Sequence, residues 1–396
     1  MKILFVNEKA GYFGGVEQNV ADSARALQES GADCHLAYAE LTNRDPDGYR
    51  EIFRDTVRCR EISPGGDGGQ SFAAIMRQVQ PDVVYLHKVA SLNFFLPFVG
   101  AVRAVRMVHD HDLCCPRRHK YFLFSSRVCH HRAGWRCYLD AAFLERDHGS
   151  ALRFRLTGIR PKLEEMKRNF HLDAVLVGSR FMQQELIQNG FSKNKVHILP
   201  PVVPAQNLHP TPVPDAATIL YVGQLIRGKG VDLLLQSLKR VRCDFKAIIV
   251  GTGNAEQGLR ALCSRLGLDA KVEFRGWVDH AALEAYYAGA RVVAVPSRWP
   301  EPFGMIGLEA MRQGRPVVAF AVGGIPDWLQ DGVTGCLVAE QDVAAFARAL
   351  ERLLSDPETA REMGRAALAA AHEKFAFDRY LQALSGYLRG SEITKL

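Results

Sequence analysis

The feature that most constrains this chain is that its sequence starts twice. It opens with an apolar run, KILFV, followed by a glycine-bearing loop, NEKAGYFGGVEQ. That loop turns into a helix with Val20, Ala24 and Leu27 at helical spacing, which stops at Gly31 before CHLAYAE resumes as a strand. The same order returns at Thr218: TILYVG as strand, QLIRGKG as loop, VDLLLQSLKRV as helix, FKAIIVGTG as the next strand. Short apolar runs alternating with amphipathic helices read as parallel strands covered on both faces. A length of 396 residues exceeds what one core ordinarily fills. Two doubly wound α/β domains are therefore predicted, each taking ligands outside the carboxyl ends of its strands.

Between the two starts lies LPPVVPAQNLHPTPVPD, too rich in proline for a central strand or a helix. The expected division is residues 1–205, residues 206–375 and a last helix over 376–396, with LQALSGYLRG returning to the first domain. PDVVYLH, VRMVHD, LDAVLVGS and KVHILP read as further strands of the first half, with RFMQQELIQNG as a helix. KVEFRGW, RVVAVPS, RPVVAFA and GCLVA play the same part in the second. No apolar run approaches the roughly 18 residues of a membrane span. MKILFVNEK meets charge after four apolar residues, too soon for a signal peptide. The expectation is a cytoplasmic protein whose nine cysteines are reduced. A net charge of +7 favours anionic partners, whether nucleotide, nucleic acid or an anionic membrane.

The chemistry concentrates in a few stretches. Gly223, four further residues, Gly228 and Lys229 nearly spell a P-loop, but Gly230 stands where that loop needs Ser or Thr to ligate Mg²⁺. Glycines let backbone approach phosphate oxygens, and a following helix start offers free N–H groups. Lys229, between two glycines, can offset a diphosphate's charge without a metal. Arg227 beside it is equally read as a phosphate ligand or a solvated surface residue. Gly14 and Gly15, taken alone, are equally a phosphate loop or an ordinary turn. Gly251-Thr252-Gly253 is a poor dinucleotide fingerprint, because Glu256 occupies the place of the third glycine. The most specific stretch is PSRWPEPFGMIGLEAMRQGRPVVAFAVGGIPD, residues 296–327. It sets Glu301 in a proline-bounded loop and Glu309 inside the helix begun by Gly304, Met305 and Ile306. A helix carboxylate can accept two adjacent hydroxyls, as on a ribose.

These motifs together resemble the glycosyltransferases of the GT-B fold, two Rossmann-like domains facing a central cleft, and within them the large retaining family four. The likeness runs through GGVE, the HD after a strand, LVGSRF, VGQLIRGKGVDLLL, IVGTG, EFRGW and EPFGMIGLEA, the last holding the family's two glutamates with seven residues between them. The resemblance implies a nucleotide-sugar donor, UDP- or GDP-linked, and transfer with retained anomeric configuration by front-face attack. It places Gly14 and Gly15 near phosphates and acceptor, Gly223 and Lys229 on the diphosphate, and His109 beside the transferred sugar. Glu301 and the amides of Phe303, Gly304, Met305 and Ile306 fall to that sugar and its phosphate, Glu309 to the ribose, and the backbone beside Trp277 to the base. No cofactor or divalent metal is expected to be required. The chain departs from the family where Gln224 replaces a common arginine and where PPVVP replaces Pro-Asn-Gly. The alternatives are an epimerase or hydrolase on the same fold, or a non-catalytic nucleotide-sugar-binding protein.

Asp110-His111-Asp112 mimics a metal-holding Asp-x-Asp, but a basic loop follows at once, and pairing with nearby Arg and His is expected. The stretch CCPRRHKYFLFSSRVCHHRAGWRC, Cys114 to Cys137, offers Cys115, Cys129 and Cys137 with His130 or His131 as zinc ligands, or as plain reduced thiols. It also carries Arg117, Arg118, Lys120, Arg127, Arg132 and Arg136 among Tyr121, Phe122, Phe124 and Trp135, with Arg153, Arg155, Arg160, Lys162, Lys167 and Arg168 beyond. Cations beside aromatics suit a lipid-linked or other glycan acceptor, or an anionic membrane at the inner face; a solvated basic face is the equal alternative. Arg117, Arg118 and Lys120 are the acceptor-side candidates. No nucleic-acid module is visible, and nucleic acid is not an expected partner.

Overall fold

The chain is described by a computed structural model covering residues 1–12, 14–63, 69–122, 127–146, 154–202 and 210–391. Two units emerge. One is drawn from Met1–Arg118, His130–Pro204 and Phe377–Leu396, the other from His119–Cys129 and Ala205–Ala376.

In the first unit, β1 (Lys2–Ala10), β2 (Asp33–Leu41), β3 (Asp55–Arg58), β4 (Val83–Leu86) and β5 (Arg103–Val108) precede a short antiparallel hairpin, β6 (Leu144–Arg146) with β7 (Phe154–Leu156). β8 (Ala174–Val177) and β9 (Val196–Ile198) complete a parallel seven-stranded sheet in the order β3-β2-β1-β4-β5-β8-β9. Ile3 to Val6, the VVYL of β4 and the AVLV of β8 are buried throughout, because helices cover both faces of a parallel sheet. Ser179 of LVGSRF starts the helix Arg180–Gln188, its Oγ accepting from the Met182 amide at 3.2 Å. The helix Phe377–Arg389 belongs to this unit: the Tyr380 hydroxyl lies 3.0 Å from Asn19 Nδ2 and 2.8 Å from Ser23 Oγ, and Arg103 donates to the Tyr387 carbonyl. The hairpin was not expected from the sequence, since three-residue strands are too short to show alternation.

The second unit holds β10 (Thr218–Val222), β11 (Lys246–Val250), β12 (Val272–Gly276), β13 (Val292–Val295), β14 (Val317–Phe320) and β15 (Gly335–Val338), all parallel in the order β12-β11-β10-β13-β14-β15. The helix after β10 is Val231–Leu238, shorter than VDLLLQSLKRV, because Arg240 and Val241 turn back onto the Ser237 and Leu238 carbonyls. In both sheets the strand order reverses beside the first strand, between β1 and β4 and between β10 and β13. The loops leaving those carboxyl ends are where such a sheet binds ligands.

Candidate functional site

The second unit carries the loop that ends in Lys229 and the stretch around Glu301. Leaving β10, the Gly223 amide donates to the Val250 carbonyl at 3.0 Å and Leu225 to Thr252 at 2.9 Å. Gly251-Thr252-Gly253 is thus a support laid backbone to backbone under the first loop, and the Gly251 amide reaches the Gly276 carbonyl at 2.7 Å, anchoring the chain beside Trp277, whose side chain is 55% exposed. The turn Arg227–Lys229 is held from β13's side: the Arg298 and Trp299 amides both donate to the Gly228 carbonyl at 3.0 Å. The buried Arg298 guanidinium donates to the Arg227 carbonyl at 3.1 Å and pairs with Asp232 at 2.7 Å. Gly230 has φ +69°, and a Cβ there would stand 1.9 Å from the Pro296 carbonyl oxygen. The hydroxyl a P-loop requires has no room, so this loop is not a P-loop.

Lys229 Nζ lies 2.7 Å from Glu301 Oε1, and Ser297 Oγ donates to the same oxygen at 2.6 Å. Burial of Glu301 opposes its ionisation, but Lys229, with donation from Ser297 and Trp299, outweighs it and holds the carboxyl below its ordinary value. The Lys229 ammonium also stands 5.7 Å from the Trp299 ring centre. Beyond Glu301, Gly304 begins the helix Met305–Arg312, whose start has no side-chain cap and no acidic residue in its first turn. Phe303 is buried and its carbonyl accepts the Trp328 indole N–H at 2.6 Å. Gly307 is required there, since a Cβ would meet the same indole at 2.0 Å. Gly304, Met305 and Ile306 are half-exposed, presenting the helix start. Glu309 accepts the buried Tyr287 hydroxyl at 2.9 Å, and burial, reinforced by Glu309, pushes that phenol's pKa well up, so it stays a donor.

The first unit is built otherwise. Gly14 and Gly15 are exposed at the start of the helix Gly15–Glu29, but Glu17 Oε2 accepts the Gly14 amide at 3.0 Å. Asn7 donates to Glu17 Oε1 at 3.5 Å and to the Lys9 carbonyl at 2.8 Å, while its own oxygen takes the Lys88 amide. Burial raises the Glu17 pKa, only partly offset by these donors. After β5, His109 Nε2 meets His87 Nδ1 at 3.0 Å. Burial pulls the His109 pKa down to about 4, with Lys88 and Arg106 helping against Asp110; His87 is lowered by burial as well. Both imidazoles are neutral at neutral pH, fit to hydrogen-bond a ligand rather than protonate it.

Several expectations need correcting. Asp110 and Asp112 pair directly with Lys88, at 2.8 and 3.5 Å, with His109 acting on Asp110 and Arg118 on Asp112 at longer range, and Asp110 caps the Asp112 amide. Cys115, Cys129 and Cys137 do not assemble a zinc site: among the described residues no group of three or more His, Cys, Asp or Glu could hold a metal ion. The Cys115 amide closes a turn on His111, the Cys129 amide pairs with Lys120, and Cys137 packs with Ala142 and Ile159. Of the acceptor-side candidates, Arg118 is exposed, but Arg117 is buried and spent on the Asp140 carbonyl, and Lys120 is buried too. Phe124, Arg153 and the Arg155 side chain lie outside the described residues. The sequence reading passed over His87, Tyr287, Ser297 and Arg298; only Ser297 and Arg298 left a trace, inside the PSRWPE stretch.

Residues 13–207 match the family model Glycosyltransferase Family 4, and residues 209–369 match Glycosyl transferases group 1. The chain belongs to the glycosyltransferases of the GT-B fold. An uncharacterized glycosyltransferase of Methanocaldococcus jannaschii is 35% identical over 166 residues, 41% of this chain and 42% of that protein. A D-inositol 3-phosphate glycosyltransferase of Mycobacterium avium is 38% identical over 174 residues, 43% of this chain and 41% of that protein. The chain thus spans about half the length, or less, of the curated relatives it matches. In fold it resembles Anabaena HepE in complex with UDP, with a TM-score of 0.74 at 21% identity over 98% of this chain and 100% of that one. Sucrose-phosphate synthase of Thermosynechococcus elongatus gives 0.75 at 21% identity, over 98% of both chains. Among the described residues no helix is long and apolar enough to cross a membrane.

Proposed function

We propose that this GT-B enzyme is a retaining glycosyltransferase that moves a sugar from a UDP- or GDP-sugar to a hydroxyl of a glycan, lipid-linked or small-molecule acceptor, in the building of cell-surface glycans or glycoconjugates. The observation that carries the reading is the cation at the end of β10, Lys229, set against Glu301 at the end of β13 and followed by an uncapped helix start. A bound diphosphate would take the Lys229 ammonium and the amides of Gly304 to Ile306, leaving Glu301 to the sugar hydroxyls. The bond from C1 to the diphosphate oxygen breaks, the acceptor oxygen bonds C1 on the same face, and the acceptor proton passes to the departing phosphate. Charge builds on that phosphate, and one preorganised contact to it typically contributes about 3–4 kcal/mol. Glu309, steadied by Tyr287, is assigned to the ribose, and neutral His109 to the transferred sugar. HepE crystallised with UDP and with UDP-glucose supports the donor class.

The reading includes no requirement for a divalent metal and a cytoplasmic site of action at the inner membrane face. Trp135 (66% exposed), Leu139 (74%) and Leu156 (75%), with exposed Arg132 and Arg136, support contact with an anionic bilayer. The test incubates the protein with UDP- and GDP-sugars, with and without a panel of glycan and lipid-linked acceptors. Nucleotide release that requires an acceptor, giving product of unchanged anomeric configuration, is expected. Release without any acceptor would make the protein a hydrolase instead.

A further inference from the structure

We infer that His87 is a positioning residue for His109: from the end of β4 it donates its Nδ1–H to His109 Nε2 and so holds His109 in the tautomer whose proton sits on Nδ1. The inference rests on the assignment of His109 to a sugar donor.

The geometry leaves little choice. His87 Nδ1 and His109 Nε2 are 3.0 Å apart, with the ring centres 5.2 Å apart and the planes within 19° of parallel, the edge-to-edge arrangement of an in-plane N–H···N bond. His87 is 1% exposed, stacked on Phe5 of β1 at 5.8 Å and tilted against Tyr85 of β4 at 4.2 Å, so its ring is clamped on both sides. Between two neutral imidazoles one nitrogen donates and the other accepts. Were His109 the donor, the proton of His87 would sit on Nε2, which has no hydrogen-bond partner among the described residues. A buried N–H left unmade is the costlier arrangement, since orphaned donors are rarer than orphaned acceptors. With His87 as donor only a bare lone pair is buried there.

The surroundings keep the pair neutral. The charge of Arg106 acts against protonation of both rings and that of Lys88 against protonation of His109, and Asp110 partly offsets them. His109 then offers a fixed N–H to a ligand oxygen, with no proton to relocate when the ligand arrives. Such preorganisation is what a positioning residue contributes to catalysis. His87 and His109 each directly follow a strand, β4 and β5, and those strands are neighbours in the sheet.

Nitrogen-15 spectra of histidine-labelled protein, read in the wild type, His87→Phe and His87→Gln, test the inference. The wild type should show His109 with a protonated Nδ1 and an accepting Nε2. Phenylalanine keeps a planar ring against Phe5 but removes the donor, so the Nε2–H tautomer should become populated and kcat should fall about five- to tenfold, the worth of one hydrogen bond. Glutamine, whose amide can donate, should restore both the tautomer and most of the rate. A wild-type His109 protonated on Nε2 overturns the inference, as does a His87→Phe variant with unchanged tautomer and kcat. If the wild type transfers no sugar at all, the functional reading fails while the spectra still decide the tautomer.

Discussion

The two glycine loops sit at equivalent places, each leaving the first strand of a parallel sheet at its switch point, yet they are prepared for opposite chemistry. After β1, the helix start at Gly14 is occupied by the protein's own carboxylate, Glu17, and the nearby cation Lys88 is committed to Asp110 and Asp112. After β10, Lys229 has one carboxylate partner, Glu301; the helix directly after that loop carries Asp232 in its first turn, paired with Arg298, whereas the helix after Glu301 opens with neither cap nor acid. A helix start bearing a carboxylate has spent its attraction for anions, whereas an open one has not. The lesson is that topology locates both loops, while the charges around each decide how open it is to an anion.

The strongest way to break this comparison is to remove each cation. Lys229→Gln should lower turnover by about 10²–10³-fold and abolish tight nucleotide binding, whereas Lys88→Gln should leave nucleotide affinity within about threefold. Titration calorimetry and single-turnover rates check both; equal losses would erase the distinction. Lys229→Gln should also reduce stability, because it strands the buried Glu301 carboxylate. The double variant with Glu301→Gln should recover part of the melting temperature.

The next effect is on pH. The His109 pKa lies near 4 in the folded chain against an ordinary 6.5. Above pH 6.5 both states are neutral and this group costs nothing. Between about 6.5 and 4 only the unfolded chain binds the proton, so stability falls as pH drops through that window, by about 2–3 kcal/mol for this group alone. In His109→Asn the acid limb of a denaturation series should be shallower by that amount; an unaltered limb would mean that the imidazole is not held neutral.

The smallest effect sharpens the contrast at the helix start. Glu17→Gln should cost about 1 kcal/mol as a weakened cap. Removing this negative charge should leave nucleotide affinity unaltered, as binding isotherms would report; tighter nucleotide binding would assign a phosphate to the first loop instead.

The fold was legible because a strand buried on both faces announces itself as an unbroken apolar run; VVYL, AVLV and VVAV leave no other role. Lys229 and Glu301 could be picked out because glycines and prolines bracket them. Their pairing could not, since 72 residues separate them and only the adjacency of β10 and β13 brings them together. Tyr287 and His87 were invisible for the same reason: each acts on a residue reached through sheet order or helix packing. Arg117 and Lys120 misled because charge in a sequence says nothing of burial, and the zinc alternative for the cysteines fell because neighbours along the chain need not point at a common centre.

The central claim is that the loop after β10 grips a nucleoside diphosphate through Lys229 without a metal. The direct test is a thermal-shift panel with UDP, GDP, ADP and NAD, each without and then with Mg²⁺. A ligand at 100 times its Kd adds about 2.7 kcal/mol, well within detection. Stabilisation by UDP or GDP in the absence of metal, lost in Lys229→Gln, is the predicted result. Stabilisation that appears only with Mg²⁺, or only with NAD, or with none of the four, would contradict the account.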